Sequence, residues 1–260
     1  MFLKAILRAL QFLYILYAAM LFLALMIPVF IFAVLAAPAG ASRGGNLIYY
    51  ACRAWAGIWF PLVGIFHRNI NAPEAGTRDS YIYIANHISW LDAALIPIVF
   101  RRPLRPLGKA EAGKIPLFGF IYRKAVVSVD RSSSENRHRS VQRLKSVLRK
   151  GVAVLVFPEG TFNETHQPLA RFYDGAFRIA IETGTPIRPV LFLDTYARMP
   201  YDRKLALNPG RSRAVFLPPI PVDGLGADDI AALRDTAFRQ MEEGLSDYQA
   251  SWISRIATDL

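Results

Sequence analysis

Residues 81–95 read YIYIANHISWLDAAL. The run opens with apolar and aromatic residues that show no alternation with polar ones. That is the mark of a strand covered on both faces rather than one with a wet side. The run stops at Asn86 and His87, and from Trp90 onward the apolar positions recur at helical spacing. A strand, a polar turn and a helix in succession, with cover needed on both faces of the strand, predict an α/β architecture. In such sheets ligand and catalytic groups gather at the carboxyl ends of strands, where His87 falls. Asp92 follows His87 by five positions, about 140° around a continuous helix, so the two meet only if a turn separates them. In that geometry the carboxylate accepts a hydrogen bond from one imidazole nitrogen and leaves the other free to take a proton. A second reading has Ser89 capping the helix in a capping box with Asp92, with His87 a loop residue. The stretch by itself is compatible with both.

Outward from this point the same grammar repeats. Apolar runs at 125–129 (AVVSV), 152–157 (VAVLVF), 187–193 (IRPVLFL) and 213–218 (RAVFLP) read as further strands, and another is possible ahead of residue 108. Between them, SSSENRHRSVQRLKSVLRK opens with Ser132 and Glu135 at capping-box spacing. It places Val141, Leu144 and Leu148 on one face, with Arg137, Arg139, Arg143, Lys145, Arg149 and Lys150 around the rest. FYDGAFRIAIETG, residues 172–184, ends at a glycine stop, and Ile230, Leu233, Ala237 and Met241 form the stripe of a late helix. The fold class is thus α/β, a mostly parallel covered sheet with flanking helices, preceded by an N-terminal membrane-embedded helical segment. The division falls between residues 1–65 and 66–260.

The head of the chain sets the environment. No charge occurs from residue 9 to 42, and residues 12–37 are apolar throughout. This run exceeds the roughly 20 residues a bilayer requires and the about 7 to 15 of a signal-peptide core. Pro28 is expected to kink or interrupt the helix. After the break at AGASRGG, the stretch NLIYYACRAWAGIWFPLVGIF carries Arg53, and is read as interfacial rather than spanning. Lys4, Arg8, Arg43 and Arg53 flank the apolar run on both sides, so charge chooses no direction for a single membrane-anchoring span. The alternative, favoured over it, is a monotopic kinked hairpin or an element embedded in one leaflet, which keeps these four cations on the cytoplasmic side. The net charge of +11, behind an apolar head that lacks Asp and Glu before Glu74, points to anionic lipid rather than nucleic acid. The single Cys52 allows no internal disulfide. Four His, one Cys and no H-E-x-x-H give no metal-ligand spacing, and no G-x-S-x-G elbow marks a covalent nucleophile.

Three more blocks accompany the His87 stretch: GKAEAGKIPLFGF at 108–120, FPEGT at 157–161 and TPIRPV at 185–190. In this order and at these separations, over roughly residues 66–220, the four blocks resemble the glycerolipid acyltransferase family that contains bacterial 1-acylglycerol-3-phosphate acyltransferases. The resemblance implies an O-acyltransferase of phospholipid synthesis or remodelling at the cytoplasmic face of the inner membrane. It would carry an acyl group from an acyl-CoA or acyl carrier protein thioester, with no bound cofactor, to the free hydroxyl of a lysophospholipid. Lysophosphatidic acid, giving phosphatidic acid, is the leading acceptor. By the same resemblance His87 is the general base and Asp92 its orienting partner. Lys109 and Gly119 belong to the oxyanion- or donor-binding block, Glu159, Gly160 and Thr161 to the acceptor block, and Pro186 and Pro189 to the last block.

Two departures bear on the acceptor. Where many members that take a phosphorylated acceptor carry Arg after the F-P-E-G-T block, this chain has Phe162; where Phe-Lys-x-Gly is common, it has Tyr173 and Asp174. A phosphate needs cations or N–H donors, and Arg171, Arg178 or Arg188 are the candidates to supply them, Arg188 being taken as a substrate-binding residue. Another lyso lipid, such as a lyso amino-acid lipid, is therefore the alternative acceptor. From a different class, the alternative is a non-catalytic basic protein that binds membrane or nucleic acid.

Overall fold

The computed structural model describes residues 2–73, 80–129, 134–165, 167–203 and 206–253. Ser132, and with it the expected capping box to Glu135, lies outside the described residues. The chain opens with a helical hairpin, α1 (Phe2–Ala36) and α2 (Gly45–Leu62), joined by a 3-10 turn and a π turn over 37–44. Pro28 lies inside α1, which runs on through it, so of the two expected outcomes the interruption does not occur. The hairpin is antiparallel: Tyr14 donates to the Val63 carbonyl at 2.6 Å, and the Trp59 indole N–H to the Ala18 carbonyl at 3.0 Å. Phe22 sets its ring edge-on to Trp55 and Trp59, which stack on each other.

The α/β part follows as β1 (Ile65–Ile70), β2 (Ile82–Ala85), α3 (Leu91–Val99), β3 (Arg105–Lys109), α4 (Phe118–Ala125), β4 (Val127–Val129) and α5 (Ser134–Arg149). Then come β5 (Val154–Val156), α6 (Gly175–Thr183), β6 (Ile187–Phe192), the short α7 (Thr195–Arg198), β7 (Gly210–Phe216) and α8 (Ile230–Asp247). Among the described residues the strands form one sheet in the order β1-β7-β6-β2-β5-β3-β4. Every pairing is parallel except β6 with β7.

The absence of alternation in β2 now has its reason. Tyr81, Tyr83 and Ala85 face a core shared with α1, α2 and α3. Ile82 and Ile84 face a second core built with α5, α6 and α8. Both sides of the sheet are thus dry, and each position of the strand is apolar. Leu144 and Leu148 of α5, and Leu233, Ala237 and Met241 of α8, fill the second core as their helical stripes predict. Gly184 ends α6 in the left-handed conformation at φ 59°.

Neither β1 nor β3 is an apolar run; β1 is not among the expected strands, and β3 forms where a strand was possible ahead of residue 108. The stretch that ends in GIF is not interfacial to its end: it leaves α2 and becomes the edge strand β1, whose His67, Arg68 and Asn69 break any apolar run. β3 reads RPLGK, and its Arg105, only 7% exposed, reaches the carbonyls of Ala41 and Ser42 and the side chain of Asn46, at 2.9 Å from the last. This buried guanidinium pins the hairpin turn to the sheet. Arg53 likewise faces protein, donating to the Arg101 carbonyl at 2.6 Å.

Candidate active site

Asn86 ends β2 with its side chain buried, donating to the Phe192 carbonyl at 3.0 Å and accepting the Phe192 N–H at 2.8 Å. This fastens the end of β2 to β6, and the next residue, His87, emerges at the sheet's carboxyl edge. His87 Nδ1 lies 2.8 Å from Asp92 Oδ2. The same oxygen accepts the backbone N–H groups of Ile88 at 2.8 Å and Ser89 at 2.9 Å. Ser89 Oγ accepts the Leu91 N–H at 3.0 Å and donates to the Met199 carbonyl at 2.6 Å. Only half of the expected capping box forms. Asp92 accepts the Ser89 N–H, but its own N–H goes to the Ser89 backbone carbonyl at 3.1 Å while Ser89 Oγ takes the Leu91 N–H, and the same carboxylate contacts the imidazole. Asp92 is fully buried and its Oδ1 has no partner among the described residues, so its accepting capacity is concentrated on one oxygen. No hydrogen bond to His87 Nε2 occurs among the described residues.

The F-P-E-G-T block meets His87 from β5. Glu159, 2% exposed, accepts the His87 backbone N–H on Oε1 and the Ala170 N–H on Oε2, both at 2.8 Å. Burial pushes its carboxyl up to about 8; the Ala170 and His87 N–H groups pull it down and the Asp92 charge adds to the rise. Gly160 makes the turn at φ 72°, a conformation that disfavours a side chain, and its N–H closes on the Phe157 carbonyl at 3.0 Å. Thr161, next in the chain, is exposed. The Asn163 N–H then donates to the His87 carbonyl at 2.7 Å. His87 is thus held at both its backbone N–H and its carbonyl by the one loop.

The remaining predicted residues divide. Arg105 pairs with Val154 and Val154 with Ile82, so Lys109 stands level with Asn86, two strands across and roughly 10 Å away at about 4.8 Å per strand. Lys109 is exposed at the same edge of the sheet as His87. Gly119 is buried in the first turn of α4, where a Cβ would come within 2.3 Å of the Gly113 carbonyl oxygen; its place is a packing contact. Arg188 is not brought to the cluster. It sits level with Tyr83, roughly 13 Å down the strand from His87, with its guanidinium over the rings of Tyr81 and Phe216 at 5.4 and 5.8 Å. Arg171 and Arg178 are exposed, and Asp174 is neutralised by Arg234 at 2.8 Å.

What the residue pattern missed is aromatic. Phe157 lies flat on the His87 ring, centroids 4.1 Å apart and planes at 18°, and Phe162 meets that ring at 4.4 Å and 54°. Phe162 leads on to Trp90 at 4.7 Å. The only signal in the sequence was negative, a Phe at the position where the family resemblance leads to the expectation of Arg. Beside the cluster, α1, α2 and α3 together with Met199, Ala206 and Leu207 line a half-open cavity of about 400 Å³, walled by Phe22, Trp59, Trp90 and Leu91 among others. Among the described residues no group of three His, Cys, Asp or Glu side chains is placed to hold a metal.

A histidine bonded to a buried carboxylate at a strand end, a buried glutamate tied to its backbone and an apolar cleft that shares Trp90 with this aromatic cluster lie together in the fold. The family model described as Acyltransferase matches residues 65–193, from β1 to the end of β6, which contains this whole cluster. The chain belongs to the glycerolipid acyltransferase family. This acyltransferase is 28% identical over 200 residues to the 1-acyl-sn-glycerol-3-phosphate acyltransferase of Salmonella typhimurium, covering 76% of the chain and 80% of the relative. To the Homo sapiens 1-acyl-sn-glycerol-3-phosphate acyltransferase alpha it is 29% identical over 238 residues, covering 83% and 80%. In fold the acyltransferase resembles the 1-acyl-sn-glycerophosphate (LPA) acyltransferase PlsC of Thermotoga maritima, with a TM-score of 0.73, 21% identity and coverage of 96% and 99%.

Proposed function

We propose that this enzyme moves a fatty acyl group from an acyl thioester to the free hydroxyl of lysophosphatidic acid, giving phosphatidic acid, with His87 as general base. The observation that carries the reading is the His87 Nδ1 to Asp92 bond, which commits one nitrogen and leaves Nε2 to act. Nε2 takes the hydroxyl proton as the oxygen attacks the thioester carbonyl; the C–S bond then breaks and the departing sulfur takes the proton from the imidazolium. The flat face of Phe157 stabilises the ring while it is cationic. The cavity against Trp90 and Leu91 offers the acyl chain an apolar berth, at about 0.8 kcal/mol per methylene buried. Lys109, level with Asn86, and the exposed Arg171, next to the Ala170 that donates to Glu159, are the cations assigned to meet a phosphate. The names of the relatives support the acceptor. Phe162 against His87, in place of a cation, favours a second reading: a lyso lipid without a phosphate monoester.

The hairpin of α1 and α2 sits on one leaflet of the membrane in this proposal. Ala18, Met26, Val29 and Ala33 of α1 are buried against protein, whereas Met20, Leu23, Ile27, Ile31 and Leu35 form an outward stripe, each more than half exposed. From Tyr14 onward α1 is bound to the rest of the molecule, and residues 2–13 reach only about 18 Å, short of the roughly 30 Å of a hydrocarbon core. The exposed cations Arg143 and Arg149 of α5, and Lys150 just after it, lie on the other side of the sheet, away from that stripe, where the phosphates of a soluble donor can reach them.

The test is acyl transfer by the purified protein in vesicles, with acyl-CoA and acyl carrier protein donors against a panel of lyso lipids, and His87→Ala alongside. Transfer to lysophosphatidic acid, lost in the variant, is expected. Transfer restricted to another lyso lipid would move the acceptor to the second reading, and substantial turnover by His87→Ala would reject the base.

A further inference from the structure

A base that deprotonates a lipid hydroxyl deprotonates water equally well, and the same thioester then yields a fatty acid and a free thiol instead of an acylated lipid. At the surface of a membrane protein the competing water is abundant, so something must keep it from the imidazole. The His87 side chain is 20% exposed. Its cover is a continuous aromatic run: Phe157 and Phe162 on the ring, Trp90 edge-on to Phe162 at 74°, and Tyr201 stacked beyond Phe162 at 6.4 Å and 19°. Trp90 also walls the apolar cavity, so the run joins the base to the lipid side of the molecule.

The placement of Phe162 is fixed by backbone. Three residues before it, Glu159 accepts the His87 N–H; one residue after it, the Asn163 N–H binds the His87 carbonyl. A ring at position 162 is therefore carried over His87 by bonds to His87 itself. Trp90 is 56% exposed, a large apolar ring kept at the mouth of the site where packing of the core does not need it.

We propose that Phe162, with Trp90, is the water-excluding cover of the base and sets the ratio of acyl transfer to thioester hydrolysis. This rests on the reading of His87 as general base. Hydrolysis here consumes one water: its oxygen bonds to the acyl carbon, the C–S bond breaks, and the proton passes through His87 to the leaving sulfur.

The experiment supplies acyl-CoA to the full-length protein in vesicles that contain the accepted lyso lipid, and follows free thiol, free fatty acid and acylated lipid together. Phe162→Ala is expected to raise the ratio of fatty acid to acylated lipid about tenfold, and Phe162→Leu, which still covers the ring, to restore most of the wild-type ratio. Trp90→Ala, at an exposed position that does not threaten folding, is expected to shift the ratio in the same direction. In Phe162→Ala, adding His87→Ala should abolish the hydrolysis. A loss of transfer in Phe162→Ala and Trp90→Ala with the ratio unchanged overturns the proposal, as does hydrolysis that survives without His87. Absence of transfer by the wild-type protein would instead sink the functional reading on which the proposal stands.

Discussion

Replacing Asp92 by Asn and by Ala separates the two tasks of its carboxylate. Three donors converge on one oxygen, Oδ2: His87 Nδ1, Ile88 N–H and Ser89 N–H, at 2.8, 2.8 and 2.9 Å. In Asp92→Asn the amide oxygen can take that place and keep all three bonds. The amide NH2 then falls where Oδ1 is, a buried position with no partner among the described residues. An unsatisfied buried donor costs about 1–3 kcal/mol, and this is the expected loss of stability in Asp92→Asn. In Asp92→Ala two buried backbone N–H groups lose their acceptor at once, so the loss is about 2–6 kcal/mol, a large share of a typical total of about 5–15. For turnover the order differs. Both variants remove the charge that stabilises the imidazolium, and both should lose on the order of 10²–10⁴ in rate. Thermal unfolding in detergent reads the first difference, at about 2–4 °C per kcal/mol for a chain of this size, and acyl transfer reads the second. A destabilised Asp92→Ala that still transfers at the wild-type rate would show that the carboxylate is a helix cap and nothing more. Equal stability losses in the two variants would refute the hydrogen-bond accounting.

Two other perturbations follow from the same geometry. Glu159 has its carboxyl raised from 4.5 to about 8 by burial, so between those values the folded state holds the proton more tightly than the unfolded state does. Stability contributed by the protonated group is full below the unfolded value and is lost as pH rises through the folded one, at up to about 1.4 kcal/mol per unit, or roughly 4–5 kcal/mol in all. Denaturant titrations at pH 5 to 8 should show this decline in the wild type and a flatter profile in Glu159→Gln; equal slopes would count against the assignment. Gly119→Ala drives a methyl group to 2.3 Å from the Gly113 carbonyl oxygen and is expected to cost about 1–3 kcal/mol in stability. If instead it unfolds like the wild type and only its Michaelis constant for the acyl donor rises, Gly119 belongs to the donor site and not to the packing.

Much of the fold was open to a reading of residues because dryness leaves a mark. β2, β5 and β6 are apolar at nearly every position since helices cover both faces, and the stripes of α5 and α8 point to the core that each fills. β1 and β3 left no such mark. The first is an edge strand with polar residues at its centre, and the second begins Arg-Pro, with its Arg buried to hold the hairpin turn. Pro106 is tolerated because β4 pairs only with residues 107–109 of β3. A buried arginine satisfied by carbonyls more than sixty residues away has no local signature.

At the site, the sequence by itself determined the chemistry available: a His at a strand end, an Asp one turn on, and a Glu-Gly turn at the end of another strand. These are short-range facts, set by strand termination, capping and turn conformation. Tertiary structure decided which of them act together. Glu159 became the tie that holds His87, Arg188 was left stacked on Tyr81 and Phe216, and Phe157 and Phe162 were folded onto the imidazole. The physical reason is that strand order and register fix distances between segments far apart in the chain. Those distances, not the identity of any one residue, decide whether a cation reaches a phosphate or a ring covers a base.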